Sequence, residues 1–347
     1  MRPLPSLSRG SADGSPFFIS VVFLNTGPRP EGYVEDYETV NLAQPALNET
    51  EAEDLYVQLA SGAESGWDYT ARWMKAPLAN ISDPLQGLRS LNIRSIIPVD
   101  LNAILTSNHY RLADLYDQYS LSSSTSGNSS SLSNATARAD LHRMQGDKGK
   151  EALLDLMWDS EKYSFYDFNM TSNARSDFWA LSAFFPYWLD IFPPELETDP
   201  EAAQKAFAGL DYILAKYDGA VPASLTASTL NWDFPNAWPP LQYILAEGLD
   251  KLNANVTNQT YASLVSSVAG NGSLWDLIPT GQLGMNETDL PEQPGQAANA
   301  TSAGIQAHDA YADESTTWRD AIQHAIVQRY TEAAFCSWCV GSLSSLG

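Results

Sequence analysis

Apolar side chains recur every three or four residues in several segments of this chain, which is the spacing of one face of an α-helix. The pattern runs through 51–60, 101–119, 207–217, 241–252 and 318–330. Segments in which apolar and polar residues alternate strictly are few, and strands do not alternate with helices along the chain. The pattern therefore predicts a mainly helical, all-α fold.

Capping residues mark where some of these helices begin. Asp199 followed by Pro200 is typical of an N-cap and a first-turn proline. Ser315 is predicted to cap the last helix, and Asp100 is predicted to cap the helix that carries 101–119.

Two stretches have the composition of solvent-exposed insertions. Ser120–Thr136 is dominated by serine, and 270–314 is rich in Gly, Pro, Asn and Ala. Such segments bury too little apolar surface to order a core. We expect both to be surface excursions, the second of them mobile, and no exact internal repeat is visible in the chain.

Charge and composition exclude several classes of partner. The formal net charge of the 347 residues is −23, so no basic surface is available to neutralise the phosphates of nucleic acid or an anionic membrane. No apolar run approaches the roughly twenty residues that a membrane-spanning helix needs. The four histidines show no metal-ligand spacing. We expect no metal site, and we expect Cys336 and Cys339 to be core residues or an incidental disulfide.

The chain is unusually rich in N-glycosylation sequons, with ten where chance would supply about three. This excess predicts N-glycans and an extracellular or secretory-pathway location. The apolar run 17–24 resembles a signal peptide but is short and has no clear cleavage site, so a strand, a loop or a chain that begins partway through its parent remains an alternative. The sequons lie at Asn48, Asn80, Asn128, Asn134, Asn169, Asn255, Asn258, Asn271, Asn286 and Asn299.

Three short clusters combine charged hydrogen-bonding groups with aromatic rings or prolines. They are "GPRPEGYVEDYE" at 27–38, "GAESGWDYTARW" at 62–73 and "NWDFPNAWPPLQ" at 231–242. Sugar hydroxyls need donors and acceptors with forked geometry, and the C–H face of a pyranose packs on an indole ring. The clusters are therefore candidates for carbohydrate recognition, although a protein-binding groove has a similar composition.

The same clusters resemble the trehalases of glycoside hydrolase family 37, in the order in which that family carries them. The matching stretches are "GPRPEG" at 27–32, "ESGWDYTARW" at 64–73, "IPVDLNA" at 97–103 and "NWDFPNAWPPLQ" at 231–242. Gly32 stands where the family usually has Ser, and Asn231 where it has Gln. The insertions and sequons are similar to those of the secreted fungal branch.

The resemblance implies an (α/α)6 toroid that hydrolyses α,α-trehalose to two glucose molecules with inversion and without a cofactor. By motif match, Asp68 is the expected general acid, which protonates the bridging oxygen. Gly66 is expected to admit the sugar beside its backbone. The substrate-binding residues that the resemblance implies are Arg29, Pro30, Glu31, Gly66 and Trp232.

Structural alternatives stand beside some of these roles. Trp232 is as readily a core residue as a sugar platform, and Trp238 is more readily a core residue. Asp233 and Asn236 are expected to cap the helix that follows them. Arg72 is expected to be the partner in a structural ion pair.

The resemblance covers only part of the family's pattern. Residues 1–26 carry none of its motifs, so we expect an unmatched segment followed by a partial toroid over 27–347. No glutamate lies in the context of the family's general base. The alternative to a trehalase is therefore a truncated, catalytically impaired glycoprotein that only binds sugar. We expect this chain alone to hydrolyse trehalose at least about a hundredfold slower than a full-length relative.

Overall fold

The computed structural model describes residues 18–22, 24–75, 84–124, 129–176, 178–217, 219–260 and 316–344. Helices dominate these residues, which confirms the expected all-α fold. The predicted surface excursion 270–314 and the predicted cap Ser315 lie outside them. No helix in the described ranges is long and apolar enough to cross a membrane.

The helices that the structure describes vary from single turns to 28 residues. In chain order they are α1 (Tyr33–Asn41), α2 (Glu49–Glu64), α3 (Pro84–Arg89), α4 (Val99–Ser124), α5 (Ser129–Leu156), α6 (Phe185–Trp188), α7 (Pro194–Thr198), α8 (Pro200–Lys216), α9 (Pro239–Asp250), α10 (Ala254–Thr257) and α11 (Trp318–Ser344). Short 3-10 turns lie at Pro30–Gly32, Ala71–Trp73, Ile93–Ser95 and Leu181–Phe184.

Helix α2 begins with a complete capping box. The side chain of Asn48 accepts a hydrogen bond from the Glu51 amide at 3.0 Å, and the Glu51 carboxylate accepts one from the Asn48 amide at 2.9 Å. Both contacts satisfy amide groups that have no partner within the helix. Helix α8 starts as predicted, because the Asp199 side chain accepts from the Glu201 amide at 2.9 Å.

Two other predicted helix starts are wrong by a residue or more. Helix α4 begins at Val99, so Asp100 lies inside the first turn, where its carboxylate pairs with a buried arginine. Helix α11 begins at Trp318, and the hydroxyl oxygen of Thr317 accepts from the Asp320 amide at 3.2 Å. Asp100 therefore makes an ion pair with a distant residue instead of the helix-capping contact that the sequence pattern predicted.

Five two-residue strands accompany the helices in the part of the chain that the structure describes. They form a three-stranded antiparallel sheet in the order β1–β4–β5 and a separate antiparallel pair β2–β3. Because Ile96 pairs with Asn169, the first sheet ties the start of α4 to a segment more than seventy residues away. The strands are β1 (Ile96–Ile97), β2 (Trp158–Asp159), β3 (Ser164–Phe165), β4 (Phe168–Asn169) and β5 (Ala174–Arg175).

Helices α4 and α5 form a long hairpin. Residues 120–124 and 129–136 of the predicted insertion are helical ends of this hairpin, and 125–128 lie outside the described residues. The outer half of the apolar stripe on α4 is exposed, with Leu112 at 40 % and Leu115 at 58 % of full exposure. The helical spacing in 101–119 is therefore confirmed, but its second half does not pack into the core.

The core of the described residues is strongly aromatic. Tyr187 on α6 packs against Phe165 and Phe207, with ring centroids 5.5 and 5.2 Å apart. Phe207 on α8 in turn packs on Trp318 of α11 at 6.1 Å, and Trp318 is fully buried. These contacts join α6, α8, α11 and strand β3 into one body, which supports the loops described below.

Candidate active site

The loop that follows α2 carries Asp68 between buried neighbours. Trp67 is 4 % exposed and Thr70 is fully buried, whereas the Asp68 side chain faces solvent. Ahead of Trp67, the hydroxyl oxygen of Ser65 accepts from the Trp67 amide at 3.1 Å. The loop therefore presents one carboxyl group outward from an anchored backbone.

Gly66 turns the chain from α2 into this loop. Its φ is +78°, in the left-handed region that glycine adopts without a steric penalty. A Cβ at this position would meet no atom within 4 Å. Glycine is thus required by the backbone conformation, and no close approach by another part of the described chain contributes to that requirement.

Tyr69 lies next to Asp68 and packs its ring against α2. A Cβ on Gly62 would stand 2.5 Å from Cε1 of Tyr69, so only glycine leaves room for the ring. The Tyr69 hydroxyl donates to the Leu59 carbonyl at 2.9 Å. These contacts fix the residue that follows Asp68.

Several predicted site residues gather around Tyr69. The guanidinium of Arg29 lies over its ring, 5.7 Å from the centroid. Burial raises the pKa of the Tyr69 hydroxyl well above its usual value, the charge of Arg29 opposes that rise, and Asp68 and Glu31 add to it. Arg29, Glu31 and Asp68 therefore share one electrostatic neighbourhood.

Arg29 is held by a buried carboxylate in α1. Its Nε donates to Asp36 Oδ2 at 2.8 Å and its Nη2 donates to Asp36 Oδ1 at 2.7 Å, which is a two-point ion pair. The Arg29 amide also donates to Asp36 Oδ2 at 3.0 Å. Within the described residues Nη1 makes no hydrogen bond, so it is the nitrogen available to a ligand. Pro30 and Glu31 follow in an exposed 3-10 turn.

Indole rings and one guanidinium form a continuous stack beneath the loop. Arg72 lies between the rings of Trp73 and Trp67, 4.2 and 4.9 Å from their centroids. Trp67 packs on Trp232 at 5.0 Å, and Trp232 stacks on Trp238 at 4.4 Å with 9° between the planes. Trp232 thus contacts two other indoles, and the residue is half-buried.

Arg72 is a structural ion-pair partner, as expected. Its side chain is fully buried and makes two-point contacts with both Asp100 and Asp167, at N–O distances of 2.6 to 2.9 Å. Although burial opposes its charge, the two carboxylates raise the pKa of Arg72 above its usual value. Asp167 also accepts from the Val99 amide at 2.9 Å, which ties the triad to the start of α4.

Asp233 and Asn236 do not cap α9, contrary to the expectation from sequence. Helix α9 begins at Pro239 with Trp238 as its N-cap residue. Asp233 is fully buried and its carboxylate accepts hydrogen bonds from the loop after Asp68. Asn236 is exposed and donates to the Leu230 carbonyl at 3.4 Å. Because the chain turns between Asp233 and the start of α9, the Asp233 side chain contacts the loop after Asp68 and not the helix.

Sequence reasoning missed Asp36, Asp167 and Tyr69 as contributors to the site. Asp36 follows Arg29 by seven residues inside the quoted 27–38 cluster, so a charge pairing across that motif would have suggested it. Asp167 lies in no motif and carries no such signal.

The described residues contain no group of three or more His, Cys, Asp or Glu suited to a metal. Cys336 is an exposed free thiol, which contradicts its expected burial or disulfide.

Comparison with known protein families gives this site its context. The sequence model of the trehalase family, described as "Trehalase", matches residues 20–268. The chain belongs to the trehalase family. The match begins seven residues before Gly27 and includes every candidate residue from Arg29 to Trp232. Membership confirms the family resemblance found in the sequence, and the helical class of the described residues agrees with it.

Curated trehalases from distant organisms resemble this chain. The trehalase of Dictyostelium discoideum is 31 % identical over 242 residues, which covers 70 % of this chain and 37 % of that protein. The human trehalase is 33 % identical over 227 residues, covering 65 % of this chain and 34 % of that protein. The trehalase of Tenebrio molitor is 31 % identical and covers 82 % of this chain and 47 % of that protein. This trehalase-family chain therefore spans between a third and a half of the length of these relatives.

Among solved structures, the neutral trehalase Nth1 of Saccharomyces cerevisiae aligns with a TM-score of 0.49 at 16 % identity, covering 91 % of this chain and 52 % of that chain.

Proposed function

We propose that this chain is part of an α,α-trehalase that hydrolyses trehalose to two glucose molecules with inversion, and that Asp68 is its general acid. The observation that carries the proposal is the setting of Asp68. It is a solvent-facing carboxyl group on a loop fixed by buried aromatic residues, inside the region that matches the trehalase family.

The chemistry requires a proton donor beside the glycosidic oxygen. Because an alkoxide is a poor leaving group, a carboxylic acid that protonates the bridging oxygen lowers the barrier to C–O cleavage. Inverting hydrolysis also needs a second carboxylate roughly 6.5–9.5 Å away to activate water. We assign Asp68 the acid role alone, and no residue of this chain is assigned the base.

Substrate binding falls to the groups around Tyr69. In this proposal Nη1 of Arg29 donates to a sugar hydroxyl, since Asp36 already occupies the edge formed by Nε and Nη2. The exposed carboxylate of Glu31 accepts from another hydroxyl, and Pro30 fixes the turn between the two residues. The half-buried Trp232 and the open space beside Gly66 complete the expected contact surface.

We also propose that the protein is N-glycosylated and reaches the secretory pathway. Five of its sequons lie in the described residues, and four of these five asparagines are exposed on the protein surface: Asn48, Asn134, Asn255 and Asn258. Asn169 is half-buried in strand β4. A mass decrease of the protein from eukaryotic cells after treatment with an N-glycosidase would support this, and an unchanged mass would refute it.

Hydrolysis and stereochemistry are tested together by following trehalose with proton NMR. Inversion at one anomeric carbon predicts that α- and β-glucose first form in equal amounts, before mutarotation mixes them. Asp68→Asn should lower the rate about 10²–10⁴-fold, because general acid catalysis is lost. Asp54→Asn is the control, since Asp54 lies on α2 and makes an exposed ion pair with Arg94. Turnover that survives in Asp68→Asn would remove Asp68 from the acid role.

A further inference from the structure

Asp233 is a fully buried carboxylate that accepts hydrogen bonds from two separate segments of the chain. Its Oδ1 accepts from the hydroxyls of Thr70 at 2.8 Å and Ser224 at 2.6 Å. Its Oδ2 accepts from the Ala71 amide at 2.7 Å and from the hydroxyl of Ser228. Two donors thus come from the loop after Asp68 and two from the segment that precedes Asp233.

The arrangement requires the ionised form of the carboxyl group. Four donors converge on two oxygens, and a protonated acid or an amide would place a further donor among them. Burial raises the pKa of Asp233, whereas the hydrogen bonds from Ser224, Ser228, Ala71 and Thr70 lower it. Burying an ionised carboxylate costs its hydration free energy. We therefore expect this one to hold its donor groups in fixed positions.

The contacts of Asp233 begin two residues after Asp68. Next to them, the Trp232 amide donates to the Tyr69 carbonyl at 3.1 Å, so three consecutive residues, 69–71, are bound to 232–233. On the other side of Asp68, the Trp67 carbonyl accepts from the indole N–H of Trp73 at 2.9 Å. Asp68 therefore stands on a short stretch of backbone that is fastened at both ends.

We propose that Asp233 is the positioning residue of Asp68: its buried carboxylate clamps Thr70 and Ala71 and thereby sets where the Asp68 carboxyl group stands. This inference rests on the proposed trehalase function for its catalytic consequence, but the clamp itself is independent of that function. A displacement of a catalytic group by about 1 Å can lower the rate roughly a hundredfold. Loss of the clamp should therefore lower kcat.

The kinetic test compares Asp233→Asn with the unaltered chain. The amide introduces donor hydrogens opposite buried donors, so we expect kcat to fall about 10- to 100-fold while KM stays within about threefold. The double variant Asp68→Asn/Asp233→Asn should be no slower than Asp68→Asn alone, because the clamp acts only through Asp68. Asp199→Asn is the matched control, since it also removes a carboxylate that accepts a backbone amide, at the start of α8. An unchanged kcat in Asp233→Asn, or losses that multiply in the double variant, would overturn the proposal.

A second measurement keeps the clamp testable if the chain shows no turnover. Hydrogen exchange of a peptide covering 66–73 should be at least about tenfold faster in Asp233→Asn, whereas a peptide from α8 should exchange at its original rate. Absence of hydrolysis by the unaltered chain would show that this chain alone is not an active trehalase, and the exchange result would then decide the clamp. Equal acceleration in both peptides would show general loosening and refute it. Should Asp233→Asn fail to fold, Thr70→Val removes one donor at similar volume and should accelerate exchange in 66–73 alone.

Discussion

Arg29 and Asp36 lie seven residues apart and form a two-point ion pair, with Nε–Oδ2 at 2.8 Å and Nη2–Oδ1 at 2.7 Å. The Asp36 side chain is 2 % exposed and that of Arg29 is 13 % exposed, so water competes little for either group. The hydrogen bonds that Arg29 donates to Asp36 raise the pKa of Arg29 above its usual value. The pair fixes the guanidinium over Tyr69 and directs its remaining nitrogen.

Asp36→Asn should weaken this orientation without removing Arg29. We expect the free energy of unfolding to fall by about 1–3 kcal/mol, the usual range for hydrogen bonds to a charged group. If Arg29 binds substrate, KM for trehalose should rise about tenfold or more, because the arginine is no longer pre-organised. Urea denaturation and initial-rate kinetics measure the two effects. Asp54→Asn, in an exposed pair with Arg94, should change stability by less than about 1 kcal/mol. If Asp36→Asn lost no more unfolding free energy than Asp54→Asn, the buried pair would stabilise the fold no more than an exposed one.

Arg72→Met should be among the most destabilising single changes in the described residues. It leaves two buried carboxylates, Asp100 and Asp167, without their cation, and we expect a loss of about 3–5 kcal/mol in unfolding free energy. Chemical denaturation followed by circular dichroism measures it. Arg143→Met is the control, because its pair with Asp117 is about 40 % exposed on both sides. Similar losses in the two variants would contradict the importance of the buried triad.

Gly66→Ala should be destabilising for a conformational reason alone. The φ of +78° costs an alanine about 1–2 kcal/mol, and no neighbour lies close enough to clash with its Cβ. Gly66→Asn should cost less, since asparagine tolerates the left-handed region better. Thermal unfolding of the two variants tests this order. Equal melting temperatures for the alanine variant and the unaltered chain would mean that the turn relaxes to another conformation.

The His109–His142 pair on the α4–α5 hairpin should make stability depend on pH. Their Nδ1 atoms lie 2.9 Å apart, and burial followed by the charge of His142 lowers the pKa of His109. The folded state therefore binds the His109 proton less well than the unfolded state, whose histidine pKa is about 6.5. This contribution is fully present above pH 6.5 and is lost as pH falls below that value towards the lower folded pKa.

Thermal unfolding between pH 7.5 and 5.5 measures this effect. We expect His109→Gln to flatten the fall in melting temperature over that window, because glutamine does not titrate. His324→Gln is the matched control, since His324 is an exposed histidine on α11. A pH dependence in His109→Gln as steep as that of the control would exclude the pair as its source.

The sequence by itself determined the helical class and several helix boundaries. The apolar spacing predicted α2, α4, α8, α9 and α11, and the Asp199 cap of α8 is where the sequence places it. These features depend on residues within one or two turns of each other, so local composition is sufficient to specify them. The four ordered motifs likewise predicted the trehalase family, because motif order and spacing are properties of the chain alone.

Only the tertiary structure decided what the polar side chains of those motifs do. Asp100 and Asp233 were expected to be helix caps, yet one pairs with Arg72 and the other accepts from Thr70 and Ala71, 163 and 162 residues away. Trp232 was a candidate sugar platform, and folding brings it against two other indoles, those of Trp67 and Trp238. The physical reason is that a buried carboxylate or indole takes whichever partners folding brings to it, and sequence spacing does not encode partners that distant.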